Sequence, residues 1–127
     1  MTNLTIDNDR LWQAHMDMAR IGATSEGGSN RQALSPDDAQ ARSLLCDWCA
    51  PLGLHFEQDA IGNMFFRRDS HDPTQGAVAF GSHLDTVPTG GRFDGVFGVL
   101  GGLEVMRVLH AAGHPTRASL ELVNWTN

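Results

Sequence analysis

The sequence predicts an α/β domain in which helices pack on a mixed sheet, with elements in the order α-α-β-β-β-α-β. Three observations carry this. Apolar residues recur at helical spacing in residues 8–21, and helix start and stop signals bound a second helix from Ser35 to about Ala50. Two short aromatic-rich runs flank Ala60-Ile61-Gly62, and an apolar run, a long apolar segment and a further apolar run come next as strand, helix and strand. With 127 residues, 41% hydrophobic and 19% charged, residues 1–127 have the size and composition of one soluble domain with a real core.

The first helix is read from Leu11, His15 and Met18 beside Trp12, Met16 and Ala19, with Gly22 able to end it in left-handed geometry. Residues 22–34 are rich in Gly, Ser, Asn and Thr, which makes them a loop, either a connector or the rim of a site, with the connector favoured. Ser35-Pro36-Asp37-Asp38 supplies an N-cap, a proline in the first turn and acids that complement the helix dipole. The second helix then runs to about Ala50, stopped by Pro51 and Gly53. Residues 54–59 and 63–68 form an antiparallel hairpin, and Ser70 to Gly76 is a polar turn. Ala77-Val78-Ala79-Phe80-Gly81 is nearly all apolar, the pattern of a central strand buried on both faces. Residues 94–112 are apolar all round and read as a helix packed deep against the sheet, and 118–125 as the strand that completes a right-handed βαβ unit.

The same composition excludes several functions. A formal charge of -6 and nine scattered basic residues are wrong for a nucleic-acid surface, so a small solute or a protein is the expected partner. There is no basic, then apolar leader at the start and no run of about 18 apolar residues, which points to a cytoplasmic protein without a membrane partner. Cys46 and Cys49 are three apart within a helix, not at the strand-to-helix turn a redox pair needs, and read as small half-buried residues. Gly95, Gly98, Gly101 and Gly102 match no phosphate-binding motif and read as packing positions on a helix face. Gly81-Ser82-His83 is not the elbow of a serine hydrolase.

The chemistry collects at the carboxyl end of the 77–81 strand, the edge where open α/β sheets bind ligands. His83 comes after that strand and Asp94 opens the next helix, so a neutral imidazole and a carboxylate able to bridge two ions come to one edge. Asp85, two residues past His83, is placed to hydrogen-bond the imidazole and fix its tautomer. Read singly, His83 is a loop histidine and Asp94 a helix cap; with the glycines at 81, 90, 91 and 95 they favour a metal site. His110 and His114 cannot join it, being about 24 Å or more along the helix. The parallel strand at 118–125 delivers Thr126 and Asn127 to the same edge.

Gly81 to Pro88, Gly90 to Val96 with its Gly-Gly-x-Phe-Asp-Gly, and Val123-Asn124-Trp125-Thr126-Asn127 resemble the hydantoinase/carbamoylase family of amidohydrolases, in the aminoacylase and carboxypeptidase clan. The likeness extends to Glu26-Gly27-Gly28, Arg31 and Leu34-Ser35-Pro36, and the short gap from His83 to Asp94 is similar to the carbamoylase branch. It implies the N-terminal part of a zinc-peptidase-like catalytic domain that hydrolyses C–N bonds of N-carbamoyl amino acids, allantoate or related ureido compounds. By the same likeness His83 binds one of two divalent ions, zinc or manganese and alternatively cobalt or nickel, Asp94 bridges both, and Asp85 supports the catalytic site behind His83. The complete enzyme is then a homodimer. Members continue after the residues matching Thr126-Asn127 with two adjacent glutamates, a general base and a ligand, and need later histidines and a lid or dimerisation domain. The chain by itself is accordingly expected to be inactive, with an unpaired sheet edge and uncovered apolar faces. The alternatives are a truncated relic serving as a binding or subunit-contact module, and an unrelated α/β domain.

Overall fold

A computed structural model describes residues 3–127. Helix α1 spans Asn8–Ala19 and starts at Asp7, whose carboxylate accepts a hydrogen bond from the Arg10 amide at 2.9 Å. The chain then turns through Gly22, which has φ +74°. Helix α2, Pro36–Cys49, begins as its sequence requires, with the Ser35 hydroxyl accepting from the Asp38 amide at 3.2 Å and Pro36 in the first turn. A short 3-10 turn, Ala50–Leu52, closes on left-handed Gly53.

Strands β1 (His55–Gln58) and β2 (Met64–Arg68) form the expected hairpin. Its turn is held by Asp59, whose carboxylate accepts from the amides of Ile61 and Asn63 and from the Asn63 side chain at 2.7 Å. After β3 (Val78–Ser82) come α3 (Val96–Ala111) and β4 (Leu120–Asn124). The sheet order is β1-β2-β4-β3, with β2 and β4 antiparallel and β3 and β4 parallel, as a βαβ unit requires.

Register decides which residues meet the helices. Met64, Phe66, Phe80 and Leu122 share one face and pack with Met18 of α1, Leu45 of α2 and Val99, Leu103 and Met106 of α3 in a single core. The opposite face carries Phe65, Arg67, Ala79, Glu121 and Val123, none of them in that core. This is a two-layer arrangement, helices over one side of a mixed sheet.

Two expectations are corrected. The apolar run at 77–81 predicts a central strand buried on both faces; among the described residues β3 is an edge strand, paired only with β4, and Val78 is 53% exposed. Apolar composition reports the need for cover and not its presence, and β4, more mixed in sequence, holds the centre. The segment 94–112 predicts a helix starting at Asp94 and packed deep against the sheet. Helix α3 instead begins at Val96, leaving Asp94 in the preceding turn, and one flank, with Phe97 at 61% and Val105 at 42%, faces solvent. Gly95, at φ +72°, breaks the helical backbone there.

The helix layer holds two buried carboxylates, Asp38 in α2 and Glu104 in α3. Glu104, 1% exposed, accepts from Arg10 Nη2 at 2.6 Å, Arg10 Nε at 2.9 Å and the Asp7 amide at 2.9 Å, tying the start of α1 to α3. These bonds to Glu104 push the Arg10 guanidinium pKa up.

Candidate functional site

The site segment, residues 83–95, leaves the end of β3 and returns to the start of α3. Gly81 permits the close approach of β3 to β4, because a Cβ there would stand 1.9 Å from the Val123 carbonyl oxygen. The pairing continues past both strands: Trp125 N–H donates to the Ser82 carbonyl at 2.8 Å, and Asn127 N–H donates to Asp85 Oδ2 at 2.9 Å. Asn127 therefore reaches the turn that holds His83, at Asp85, while Thr126 bonds Asn63 and Arg42.

His83 is held on two sides. Its Nδ1 lies 2.8 Å from the Asp85 main-chain oxygen and 3.3 Å from Asp85 Oδ1. A carbonyl only accepts, so Nδ1 carries a proton, and in the neutral ring the lone pair is on Nε2. On the other side the ring lies against Gly95. A Cβ at Gly95 would fall 2.4 to 2.5 Å from His83 Cε1, Nδ1 and Nε2, so the imidazole occupies the space that any other residue after Asp94 would fill. The side chain of His83 remains partly open to solvent, Asp94 is exposed at the adjoining turn, and Asp85 is buried.

Beneath this turn two buried polar side chains replace secondary structure. Arg31, 0% exposed, donates from Nε to the Leu84 carbonyl at 2.8 Å and from Nη1 to the carbonyls of Ile21 at 2.6 Å and Met18 at 3.2 Å. Its amide donates to Thr86 Oγ1 and its carbonyl accepts from the Thr86 amide at 2.7 Å. Burial pushes the Arg31 guanidinium pKa down, opposed by the negative charges of Asp38, Asp37 and Asp85. Asn124, at the end of β4, accepts the Leu84 amide at 2.9 Å. The segment Leu84 to Thr86 is thus fixed from both sides without belonging to a helix or strand.

The loop at 22–34, for which sequence favours a connector, lines this segment. Ser29 and Gly90 exchange two main-chain hydrogen bonds of 2.9 Å, and Arg92 Nε donates to the Gly27 carbonyl at 2.7 Å. Sequence patterning misses this because the bonds are main-chain to main-chain between segments some 60 residues apart. It also gives no role to Asn124, and it singles out Arg31 only through a family likeness. A buried arginine in a polar loop has no periodic signature. Glu104, the only carboxylate in a mostly apolar helix, is a signal that points to a buried polar anchor.

The remaining histidines and cysteines lie elsewhere. His110 is in the last turn of α3 and His114 beyond it, at the far end from Asp94. Cys49 is buried, which pushes its thiol pKa up to about 12, and burial raises Cys46 as well, so neither is a ready thiolate.

A dinuclear centre needs more donors than this turn offers. Among the described residues no three His, Cys, Asp or Glu side chains gather as a ligand group. His83 and Asp94 fit part of such a centre, a lone-pair nitrogen and an exposed carboxylate flanking one glycine. No helix among the described residues is long and apolar enough to cross a membrane.

No family model matches the chain. Curated relatives do. The N-carbamoyl-L-amino-acid amidohydrolase of Rhizobium meliloti is 46% identical over 125 residues, covering 98% of this chain and 30% of that protein. A ureidoglycolate hydrolase of Oryza sativa subsp. japonica is 37% identical over 122 residues, 96% of this chain and 25% of the relative. Among solved structures, a hydantoinase/carbamoylase family amidase from Burkholderia ambifaria superposes with a TM-score of 0.94 at 55% identity, over 98% of this chain and 30% of that one. The chain spans 25 to 30% of the length of these relatives.

Proposed function

From the premise that the chain belongs to the hydantoinase/carbamoylase family, we propose that it carries the first part of an amidohydrolase site acting on C–N bonds of small ureido or amide substrates: N-carbamoyl amino acids, allantoate or related compounds. The observation that supports this is His83 packed on Gly95, beside Asp94, at the carboxyl edge of a parallel strand pair. His83 and Asp94 would hold two divalent ions, zinc or manganese and alternatively cobalt or nickel, which when bound supply Lewis acidity toward a water and the scissile carbonyl.

The roles of the chain's own residues are set by their contacts. The Asp85 carbonyl keeps a proton on Nδ1, so that in the neutral ring the lone pair for an ion is on Nε2. The Asp85 carboxylate takes the Asn127 amide and so positions the segment after β4 against the same turn. Arg31 and Asn124 hold the main chain of Leu84, so His83 reaches its place without relying on a flexible loop. The general base and the further ligands belong to polypeptide outside these residues, in a complete enzyme that is a homodimer. Since a general base alone contributes about 10²- to 10⁴-fold, the 127-residue chain should not turn over substrate.

The test is direct. The chain, supplied with Zn²⁺ or Mn²⁺ and N-carbamoyl amino acids, should show no hydrolysis above background, and its weak metal uptake should fall in His83→Ala and in Asp94→Ala. Metal uptake unchanged by both substitutions overturns the ligand assignment; clear turnover overturns the division of the site.

A further inference from the structure

Strand β4 ends at Asn124, yet each of the next three residues is held. Trp125 N–H donates to the Ser82 carbonyl at 2.8 Å, Thr126 N–H to Asn63 Oδ1 at 2.8 Å and Asn127 N–H to Asp85 Oδ2 at 2.9 Å. The acceptors belong to three separate pieces of chain: β3, the hairpin at the start of β2, and the turn after β3. Helix α2 reaches the same place through Arg42, whose Nη2 donates to Thr126 Oγ1 at 3.0 Å. A strand end left to itself frays unless something ties it down.

The two side chains on Thr126 are themselves fixed. The Asn63 side-chain nitrogen donates to Asp59 Oδ2 at 2.7 Å, which leaves Oδ1 for the Thr126 amide. Arg42 Nε donates to Asp38 Oδ2 at 2.8 Å, and Nη1 donates to the Gly62 carbonyl. Gly62 admits this convergence: at φ +92°, a Cβ there would stand 3.1 Å from Thr126 Oγ1 and 3.4 Å from Arg42 Nη1. A buried ion pair such as Arg42 with Asp38 is a weak source of stability, since apolar residues of similar volume often serve as well. What the planar guanidinium adds is direction.

We propose that Arg42 and Asn63 are positioning residues of the amidohydrolase site: by fixing Thr126 they hold Asn127 on Asp85, so that the main chain beyond β4 meets the His83 turn in one orientation. The proposal rests on the family reading above, in which a general base and a ligand follow the residues matching Thr126-Asn127. A misplacement of about 1 Å in such groups costs about 10²-fold in rate. The coupling also runs back to His83. Asp85 is 3% exposed and, among the described residues, the Asn127 amide is the hydrogen-bond donor to its Oδ2, while its carbonyl and Oδ1 lie against His83 Nδ1. Neither Arg42 nor Asn63 hydrogen-bonds His83, Asp85 or Asp94 among the described residues, so both act through Thr126.

The 127-residue chain is studied by NMR relaxation and by Zn²⁺ titration. The amides of Thr126 and Asn127 should show order parameters of about 0.85, the rigid value, although both lie past the last strand. In the paired Arg42→Lys, Asn63→Ala variant both should fall below about 0.6 while Leu122, at the centre of β4, keeps its value. Lysine keeps a cation beside Asp38 but loses the fork. Thr126→Val removes the hydroxyl alone and keeps the test open if the paired variant unfolds; it should lower the order of Asn127, and Thr126→Ser should restore it. Zn²⁺ affinity should fall by about tenfold in the paired variant, the low end of what losing support behind a ligand costs. Mobile Thr126 and Asn127 amides in the wild-type chain overturn the proposal. So does an Asn127 that stays rigid in the folded paired variant or in Thr126→Val, for Arg42 and Asn63 then only stitch the hairpin to α2. Order lost with Zn²⁺ affinity unchanged, where His83→Ala lowers that affinity, overturns it as well. Zn²⁺ uptake indifferent to His83→Ala and Asp94→Ala sinks the metal reading instead, and the order parameters then decide the clamp alone.

Discussion

Replacing Gly95 with alanine adds one carbon at the point where His83 rests. That carbon would lie 2.4 to 2.5 Å from three atoms of the imidazole, about 1 Å inside ordinary contact, so ring or turn must move by that much. The backbone adds its own penalty. Gly95 sits at φ +72°, ψ -43°, where an L-residue costs about 1–3 kcal/mol. A ring displaced by about 1 Å cannot keep its 2.8 Å bond from Nδ1 to the Asp85 carbonyl, a further loss of about 1 kcal/mol. Gly95→Ala should therefore destabilise the chain by about 2–4 kcal/mol, read as a lower urea midpoint at unchanged slope. The resonances of the His83 ring should shift in the same variant, because its tautomer is no longer held. Wild-type stability together with unmoved His83 resonances would refute the packing of this ring on Gly95 and with it the juxtaposition of His83 and Asp94.

Other outcomes rest on the same kind of contact. Arg31→Met keeps the length of the side chain but leaves the carbonyls of Leu84 and Ile21 without donors, and at about 1–3 kcal/mol for each stranded group should cost about 2–6 kcal/mol by denaturant unfolding. Asn124→Leu strands the buried Leu84 amide and should cost about 1–3 kcal/mol, with faster hydrogen exchange at Leu84 as its specific sign. His15 is buried between Phe93 and Phe97 with neither ring nitrogen hydrogen-bonded, and burial lowers its pKa. The unfolded chain therefore binds a proton that the folded chain resists. This part of the stability is whole above about pH 7 and declines as pH falls below the unfolded value of about 6.5, by at most about 1.4 kcal/mol per unit. His15→Leu should abolish that decline in unfolding curves compared at about pH 7.5 and about pH 5.5, either side of the unfolded value; identical pH dependence would count against it. Cys49 should resist alkylation at about pH 8 in the folded chain and react on unfolding, since its pKa stands at about 12.

Much of the architecture is legible in the sequence because it is encoded locally. Ser35-Pro36 specifies a helix start whatever lies around it, and the apolar spacing of residues 96–106 selects a helix buried on at least one side. The histidine after a strand and the aspartate before a helix are legible as chemistry because a βαβ unit carries both to one edge. The role of Arg31 is not legible from patterning. Its partners are main-chain carbonyls on α1, just past its end and on the turn after β3, and no residue type advertises a carbonyl that lacks a donor.

Sequence by itself determined the element order and the parallel pairing that brings Asn127 to the turn of His83 and Asp85, since each depends on neighbours within a few positions or on the fixed hand of a crossover. Tertiary structure decided that β3 lies at the edge and β4 at the centre, that His83 rests on Gly95, and that Gly101 faces open space. These depend on which strand another finds and how much chain is present to cover it. The pattern of apolar residues records a demand for burial; only the assembled fold shows where that demand is met.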